Sequence, residues 1–290
     1  MTIPPLRVVE AAQQALAQVM QWPVENASAA VVTSAGAIAT IGDTQRSYKL
    51  ASVTKPLAAL AILVACEEEA LSLDMPADAS LLPGATVEHL LSHASGVAPD
   101  GRLRLSSPGV SRVYSNTGFD LLGELLTEHT GIAFNDYFDA AIAQPLGLRS
   151  TTIAGSPARS GRSTVTDLTL VMTELLAPRR LLDPSTLAEA TRVHFPGLRG
   201  VLPGFGVQQN NDWGLGFEIK DSKSPHWTAT ANSPMTYGHF GQSGTMLWID
   251  PQAQVGLVAL ADRPFGEWAA QAWPHLGDDI LAAFGVNEAS

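Results

Sequence analysis

A serine and a lysine lie three residues apart where an apolar helix is predicted to begin. Ser52 and Lys55 would share one face of that helix, and Pro56 fits its first turn because proline has no N–H to leave unpaired. A serine hydroxyl becomes a nucleophile when a neighbour takes its proton, and a desolvated lysine amine can do this. A helix N-terminus also offers free N–H groups to a developing oxyanion. The pair therefore indicates acyl transfer, although this spacing alone is more typical of an N-capping serine beside a solvated lysine.

A second set of polar residues, Tyr114-Ser115-Asn116, lies on a predicted loop just before another helix. A tyrosine phenol can relay a proton, and an asparagine amide can hold either a substrate carbonyl or the lysine amine. Taken alone, Tyr114 is more often a surface or packing residue, because loop tyrosines commonly serve that purpose. The set becomes informative only together with Ser52 and Lys55.

A third segment, Gly238-His239-Phe240-Gly241-Gln242-Ser243-Gly244, is predicted to lie at the edge of a strand. Glycines spaced in this way allow a ligand to approach the backbone closely. Free N–H groups there can bind a carbonyl oxygen in the manner of an oxyanion hole. The plainer interpretation is a glycine-rich turn beside a hydrogen-bonded histidine.

Apolar periodicity predicts the elements that carry these residues. The N-terminal part indicates an amphipathic helix, a hairpin and a short strand, at 6–20, 29–33 with 37–41, and 47–50. The helix after Ser52 ends near residue 70, and shorter helices are predicted at 86–93, 118–130, 134–143, 166–176 and 184–193. Proline and glycine indicate a loop at 195–206. Strand patterns return at 214–220, 236–241, 244–251 and 254–260, before a closing helix at 268–284.

This order of helix, strands, helical block, strands and helix predicts an α/β (α+β) fold. An antiparallel sheet flanked by helices would be assembled from both ends of the chain. We expect residues 1–70 and 205–290 to form the sheet subdomain and residues 71–204 an inserted, mainly helical subdomain. Residues 71–200 show no clear strand pattern. The active site would then lie in the cleft between them.

The composition argues against several classes of partner. The formal net charge of -11 leaves no basic patch for nucleic acid or for anionic lipid. No run of 18 apolar residues predicts a membrane span. Residues 1–20 contain one basic residue, Arg7, and no uninterrupted apolar core of a signal peptide. We therefore expect a cytoplasmic protein, with an exported protein that has lost its signal as the alternative. The oligomeric state is not indicated.

Two histidines have the spacing of metal ligands, because His89 and His93 lie four apart on a predicted helix. The glutamate of an H-E-x-x-H motif is absent, so a structural role is favoured. We expect neither a metal nor an organic cofactor. The absence of Gly-x-Ser-x-Gly also argues against an α/β-hydrolase.

Taken in order, Ser52-Val53-Thr54-Lys55, Tyr114-Ser115-Asn116 and His239-Phe240-Gly241 resemble the three-motif signature of the penicillin-recognising serine hydrolases. The Tyr-x-Asn motif is similar to that of the branch containing class C β-lactamases, D-alanyl-D-alanine carboxypeptidases and family VIII esterases. Supporting segments extend the resemblance over about residues 29–263, and they include 90–96, 145–148 with Thr151, Asp167-Leu168 and 214–217. The resemblance implies a β-lactamase/transpeptidase-like fold.

The resemblance also implies a role for each matched residue. Ser52 would be the nucleophile that forms an acyl-enzyme, and Lys55 would be the base or the partner that keeps Tyr114 activated. Tyr114 would pass a proton to the leaving group and later activate the deacylating water. Asn116 would position Lys55 and a substrate amide. The backbone N–H groups of Ser52 and Gln242 would form the oxyanion hole.

The third motif departs from that of true β-lactamases. His239 replaces the lysine of K-T-G, and Phe240 replaces its threonine, while Gly241 is kept. The lysine supplies a fixed positive charge toward the drug carboxylate, whereas histidine is mostly neutral at pH 7 and switches its charge below it. His-x-Gly is found among the carboxypeptidases, D-aminopeptidases and esterases of this family. The resemblance therefore implies a small ester, amide or peptide substrate and weak β-lactam hydrolysis at most.

A non-catalytic relative is the alternative hypothesis. A penicillin-binding sensor would be acylated once without turnover, and a scaffold would keep the fold alone. Retention of Ser52, Lys55 and Tyr114 favours an enzyme over a scaffold, but a sensor would also keep Ser52.

Overall fold

The computed structural model describes residues 4–286, so the predicted outer bounds at residues 1 and 290 lie outside it. Its strands are β1 (Ala27–Thr33), β2 (Gly36–Ile41), β3 (Tyr48–Lys49), β4 (Thr152–Ile153), β5 (Gly161–Ser163), β6 (Gly200–Leu202), β7 (Gly206–Gln208), β8 (Glu218–Ile219), β9 (Tyr237–Gly241), β10 (Thr245–Asp250) and β11 (Val255–Ala261). Its α-helices are α1 (Leu6–Leu16), α2 (Thr54–Glu67), α3 (Val87–Leu91), α4 (Asn116–Thr130), α5 (Phe134–Phe138), α6 (Gln144–Leu146), α7 (Val165–Leu176), α8 (Pro184–Ala190) and α9 (Glu267–Ala283).

The main sheet is antiparallel and joins the two ends of the chain. Its strand order is β2-β1-β11-β10-β9-β8, and β1 pairs with β11 in a register that places Ala27 opposite Ala261. Every residue of β1 and β11 is buried, because α1 and α9 cover one face of the sheet and α7 covers the other. The predicted α+β fold, with an antiparallel sheet built from both chain ends, is confirmed.

Helix α2 lies at the centre of the molecule. Residues from Thr54 to Ala65 are all buried, which is typical of a helix apolar on every side. Its apolar side chains pack in one cluster with α4, α5 and the inner face of the sheet. The helix that begins beside Ser52 is therefore anchored on all sides, and this rigidity fixes the position of Lys55.

Several short elements differ from the sequence predictions. Strand β3 does not extend the main sheet but pairs with β5 in a separate sheet of order β3-β5-β4. The region 71–200 was predicted without strands, and β4 and β5 lie within it. The segment 195–206, predicted as a loop, contains β6, which forms a hairpin with β7. Strands of two or three residues are too short to show a period of two in the sequence.

Some helix and strand ends also shift. The helix predicted to end before Pro145 continues through a π-helical turn at Asp139–Ala143 into α6 and ends at Gly147, whose φ is 72°. Helix α7, predicted to begin at residue 166, begins at Val165 and is capped by the Thr164 hydroxyl. The strand predicted at 214–220 is reduced to β8, since Gly216 turns the chain at a φ of 85°.

Between residues 4 and 286, no helix has the length and hydropathy needed to cross a bilayer.

Candidate active site

Ser52 lies in a tight turn that leads directly into α2. The turn Ala51–Val53 is a short 3-10 helix, and Ala51 adopts a positive φ of 46°, a strained conformation for a residue with a side chain. Lys55, one turn further on, is fully buried. Its amine nitrogen lies 3.4 Å from the Ser52 hydroxyl oxygen, so the structure brings the predicted nucleophile and base together.

The Lys55 amine has two further, closer partners. It donates to Asn116 Oδ1 at 2.7 Å and to the carbonyl oxygen of Ala158 at 3.1 Å. Both of these oxygens can only accept hydrogen bonds. When Lys55 is neutral, its two N–H groups are therefore directed to Asn116 and Ala158, and its lone pair is left facing Ser52. This geometry is the one that a base for the serine requires.

Burial makes the neutral form of Lys55 accessible. Removal from water lowers the pKa of Lys55 to about 7, while the carboxylate of Asp120 opposes this shift. A lysine with this pKa is uncharged in a large fraction of molecules at neutral pH. Lys55 can therefore accept the proton of Ser52 without first losing one to solvent.

Tyr114 packs against the same amine. The Lys55 nitrogen lies 4.5 Å from the centre of the Tyr114 ring, and the rings of His93, Trp213 and His239 surround the phenol. Burial raises the pKa of Tyr114, although a hydrogen bond with Ser52 acts in the opposite direction. The phenol therefore keeps its proton at neutral pH and can donate it, which favours Lys55 over Tyr114 as the base.

The loop that carries Tyr114 is held from both sides. Ser115 caps α4, because its hydroxyl accepts from Gly118 N–H at 3.0 Å and donates to the Ala98 carbonyl oxygen at 2.6 Å. The Ser115 N–H donates to Nδ1 of His93 at 3.1 Å. Asn116 is fixed as well, since its Nδ2 donates to Asp100 at 3.3 Å, which leaves Oδ1 directed at Lys55.

The end of β9 forms the opposite wall of the site. Thr245 and Ser243 donate to the carbonyl oxygens of Leu50 and Lys49, at 2.8 and 2.6 Å. This places the end of β9 directly beside the turn that contains Ser52. A Cβ at Gly241 would come within 2.2 Å of the Leu50 oxygen, so only glycine permits this approach.

The predicted residues meet in one cavity of about 190 Å³. Its lining includes Ser52, Tyr114, Asn116, His239 and Gln242. Lys55 and Gly241 lie behind this lining, the first beneath Ser52 and the second beside Leu50. All seven residues that the sequence singles out for catalysis and binding are therefore found around Ser52.

His239 is neutral over a wider pH range than the sequence suggests. Burial, with the nearby Lys55 as a further cause, lowers the pKa of His239 to about 3. The change of charge that the sequence places below pH 7 therefore lies far below the ordinary pKa of histidine, because the ring is buried and a lysine lies close by. Nδ1 of His239 lies 2.7 Å from the carbonyl oxygen of Phe240, which can only accept, so Nδ1 carries the proton of the neutral ring.

The other ring nitrogen of His239 is consequently an acceptor. Nε2 is buried and has no hydrogen-bond partner among the residues that the structure describes. A lone pair, not a positive charge, is thus presented at the position where the K-T-G motif carries its lysine.

Sequence reasoning missed several residues that hold Lys55 or line the cavity. The Ala158 carbonyl holds Lys55, but a backbone oxygen leaves no signal in residue type. Glu218 lines the cavity, and the strand pattern at 214–220 gave no sign that it faces the site. Trp213, which the sequence favours as a core or cleft-wall residue, lines the cavity as well. Leu202 and Pro203, from the β6–β7 hairpin, complete the lining.

Glu218 is charged although it is fully buried. It accepts from Trp227 Nε1 at 2.7 Å, from His226 Nε2 at 2.8 Å, and forms an ion pair with Lys223 at 3.4 Å. Burial alone would raise its pKa, but Lys223 and His226 outweigh this and lower the pKa of Glu218 to about 2. The cluster keeps a carboxylate and its counter-ion behind one wall of the cavity.

His89 and His93 have separate partners. His89 completes a capping box with Thr86 at the start of α3, and its ring stacks on Phe195. His93 accepts the Ser115 N–H and so supports the tyrosine loop. Across residues 4–286, the structure groups no three His, Cys, Asp or Glu side chains as a metal ion would need.

The chain matches a known protein family over most of its length. The family model described as beta-lactamase matches residues 14–282 of the chain. A crystal structure of a beta-lactamase from Mycobacterium bovis superimposes with a TM-score of 0.91 at 49% sequence identity, covering 93% of this chain and 99% of that one.

Curated relatives carry the names of several activities. The chain is 23% identical over 214 residues to a putative D-alanyl-D-alanine carboxypeptidase of Salmonella enteritidis, covering 54% of this chain and 46% of the relative. It is 31% identical over 147 residues to esterase EstB of Burkholderia gladioli, covering 35% of this chain and 37% of the relative. The chain thus spans less than half the length of these two relatives.

Proposed function

Because the chain belongs to the beta-lactamase family, a family of serine hydrolases, we propose that it is an esterase or D-amino-acid peptidase with weak β-lactam activity at most. The reaction would proceed through an acyl-enzyme on Ser52. The substrate would be a small ester, amide or peptide. The observation that carries this proposal is the position of the Lys55 amine, 3.4 Å from the Ser52 hydroxyl and held by two acceptors.

In the acylation step, neutral Lys55 takes the proton of Ser52 as its oxygen attacks the substrate carbonyl. The pKa of Lys55, lowered to about 7 by burial, supports this role at neutral pH. The backbone N–H groups of Ser52 and Gln242 would stabilise the oxyanion, since β9 ends beside the turn that holds the nucleophile. Gly241 serves this arrangement by permitting the close approach.

Tyr114 would then protonate the leaving group. Its pKa is raised by burial, so the phenol has a proton to give, and the proton that Lys55 took from Ser52 would afterwards be returned to the phenol. After the alcohol or amine leaves, the same pair would activate the water that hydrolyses the acyl-enzyme. Asn116 holds Lys55 throughout and would bind a substrate amide.

The state of His239 supports a substrate without a carboxylate at this position. The carboxylate of a penicillin would approach the lone pair of Nε2 instead of a cation. Two acceptors that face each other without a hydrogen between them are unfavourable. A neutral substrate, or one that carries a hydrogen-bond donor there, fits the site better.

β-Lactam hydrolysis is the competing activity, because the Mycobacterium bovis structure with 49% identity is described as a beta-lactamase. The experiment that decides between ester or peptide hydrolysis and β-lactam hydrolysis has two parts. It measures intact mass after incubation with a fluorescent penicillin, and it measures turnover of p-nitrophenyl acetate and butyrate. Ser52→Ala is the test variant, and Ser107→Ala, an exposed serine outside the site, is the matched control.

We expect ester turnover that Ser52→Ala abolishes and Ser107→Ala preserves, with a slow or absent penicillin adduct. Rapid penicillin turnover would instead assign a β-lactamase. A stable adduct on Ser52 without turnover would assign a penicillin-binding sensor. If neither substrate reacts with Ser52, the catalytic proposal fails and a scaffold remains.

A further inference from the structure

A second, larger cavity adjoins the catalytic one. Its volume is about 610 Å³, and it shares Tyr114 and Pro203 with the cavity that contains Ser52. Tyr114 therefore lies where the two cavities meet. A molecule that fills both cavities would pass this residue.

Three exposed valines form the walls of the groove. Val201 and Val207 lie opposite each other in the β6–β7 hairpin, where they are 55% and 52% exposed, and Val110 across the groove is 64% exposed. Small-molecule sites are typically concave and lined mainly by apolar side chains. The walls of this groove thus suit an apolar ligand.

The polar groups of the lining are largely committed elsewhere. Arg112 lines the groove, but its side chain is buried and donates to the carbonyl oxygens of Ser92, His194, Phe195 and Asn211. Its backbone N–H donates to the Arg199 carbonyl at 2.9 Å, which ties the hairpin to the loop that carries Tyr114. Arg199 also lines the groove, and its side chain is exposed to solvent. Arg112 therefore shapes the groove, with four hydrogen bonds from its side chain already directed to backbone carbonyls.

The hairpin separates the two cavities by strand alternation. Neighbouring residues of a strand face opposite sides, and accordingly Val201 lines the groove whereas Leu202 lines the catalytic cavity. The β6–β7 hairpin thus contributes a wall to each of the two cavities. The groove is a continuation of the active site on the far side of Tyr114.

We propose that this groove binds the apolar alcohol part of an ester substrate, which is the leaving group. This inference rests on the proposed function and narrows its substrate class. Ser52 Oγ would form a bond to the acyl carbon, the bond between that carbon and the alcohol oxygen would break, and the Tyr114 phenol would protonate the departing oxygen. The leaving oxygen must therefore lie at Tyr114, and the chain attached to it extends into the groove. The acyl part occupies the smaller cavity beside Asn116 and Gln242.

The test compares two series of esters. In one, acetate is joined to alcohols from ethanol to hexanol, and in the other, ethanol is joined to acids of the same lengths. We expect kcat/KM to rise about two- to fourfold per methylene in the alcohol series, as apolar burial predicts, and to change little in the acid series. A rise in the acid series alone, or in neither, would overturn the proposal.

Matched variants test whether the groove causes the dependence of kcat/KM on alcohol length. The double variant Val201→Ser with Val207→Ser should flatten the dependence on alcohol length, whereas Ile132→Ser, an exposed apolar residue away from both cavities, should leave it unchanged. Equal slopes in wild type and the double variant would contradict the assignment of the groove.

A binding measurement keeps the groove testable if the protein hydrolyses no ester. Calorimetric titration with 1-hexanol should show binding to the wild type and to Ile132→Ser, weakened at least tenfold in the double valine variant. Binding with this pattern but without Ser52-dependent hydrolysis would reject the proposed function and retain the groove. Absence of binding, together with a flat alcohol series, would reject the groove itself.

Discussion

The amide oxygen of Asn116 lies 2.7 Å from the amine of Lys55, across a separation of 61 residues in the chain. This contact joins the loop of Tyr114 to the helix of Ser52. It also uses one N–H of Lys55, and the Ala158 carbonyl uses another. The orientation of the Lys55 lone pair is therefore set by Asn116 and Ala158, neither of which forms a covalent bond in the proposed reaction.

The first prediction concerns pH. Because burial lowers the pKa of Lys55 to about 7, its neutral, active form dominates above that pH and is lost below it. We expect kcat/KM for an ester to fall about tenfold per pH unit on the acid side of a midpoint near 7. Lys55→Arg should remove activity across the whole range, since a guanidinium does not deprotonate. If kcat/KM does not fall on the acid side of pH 7, Lys55 is not the base.

The second prediction concerns a variant in which the charge beside Lys55 is changed. Asn116→Asp would place a carboxylate at hydrogen-bond distance from the amine, which favours the charged form. The acid midpoint of kcat/KM should move upward by about 1 to 3 pH units, and activity at pH 7 should fall accordingly. Asn116→Ser, which removes the amide without adding charge, serves as the control and should leave no upward shift. A pH profile of Asn116→Asp that coincides with the wild type would rule out direct coupling.

The third prediction separates the acid from the base. Tyr114→Phe removes the proton donor but leaves Lys55 in its place, so kcat should fall about 10²- to 10⁴-fold while the acid midpoint stays near 7. The loss should be smaller with p-nitrophenyl acetate than with ethyl acetate, because nitrophenolate leaves without protonation. Equal losses on both esters would contradict the role of Tyr114 as donor to the leaving group.

The fourth prediction tests the third motif. His239→Lys restores a cation where the wild type presents the Nε2 lone pair. We expect the rate of Ser52 acylation by a penicillin to rise about tenfold, which corresponds to roughly 1.4 kcal/mol, and turnover of uncharged esters to fall. His239→Gln, which adds no charge, should not increase the penicillin rate. The measurement is intact mass against time. An unchanged acylation rate in His239→Lys would show that the missing positive charge at residue 239 is not the reason for weak β-lactam activity.

The fifth prediction concerns the contact between β9 and the nucleophile turn. Gly241→Ala would bring a Cβ within 2.2 Å of the Leu50 carbonyl oxygen, so the strand must move away from Ser52. We expect a loss of about 1 to 3 kcal/mol in the free energy of unfolding and a fall in kcat larger than any change in KM. Denaturant titration and ester kinetics measure both, with the exposed Ala37→Ser as control. Unchanged stability would show that the turn is not packed as closely as described.

Much of the fold and site follows from local patterns in the sequence. The hairpin of β1 and β2 and the strands β9, β10 and β11 are apolar runs bounded by turns, and α4 ends at Gly131 in a left-handed conformation. The family resemblance located Ser52, Lys55 and Tyr114 because its motifs keep their order and spacing. Their roles, the division into subdomains and the cytoplasmic location stay predictions.

Other features depend on contacts between distant segments, which residue types do not reveal. The charge of His239 is set by burial and by Lys55, neither of which is visible in a His-x-Gly motif. The carboxylate of Glu218 is stabilised by residues that fold back on it, Lys223 and His226. The β6–β7 hairpin has strands of three residues, too short for a periodic signal, although it walls both cavities.

The pairing of Ala27 with Ala261 has a consequence for biosynthesis. Strand β1 is translated long before its partner β11, because most of the described chain lies between the two strands. At ordinary elongation rates, β1 waits on the order of tens of seconds as an unpaired apolar strand. Its high contact order also slows spontaneous folding. A nascent chain would therefore rely on chaperones to protect this strand. Ser52 and Lys55 would be present in the nascent chain long before the protein could catalyse hydrolysis.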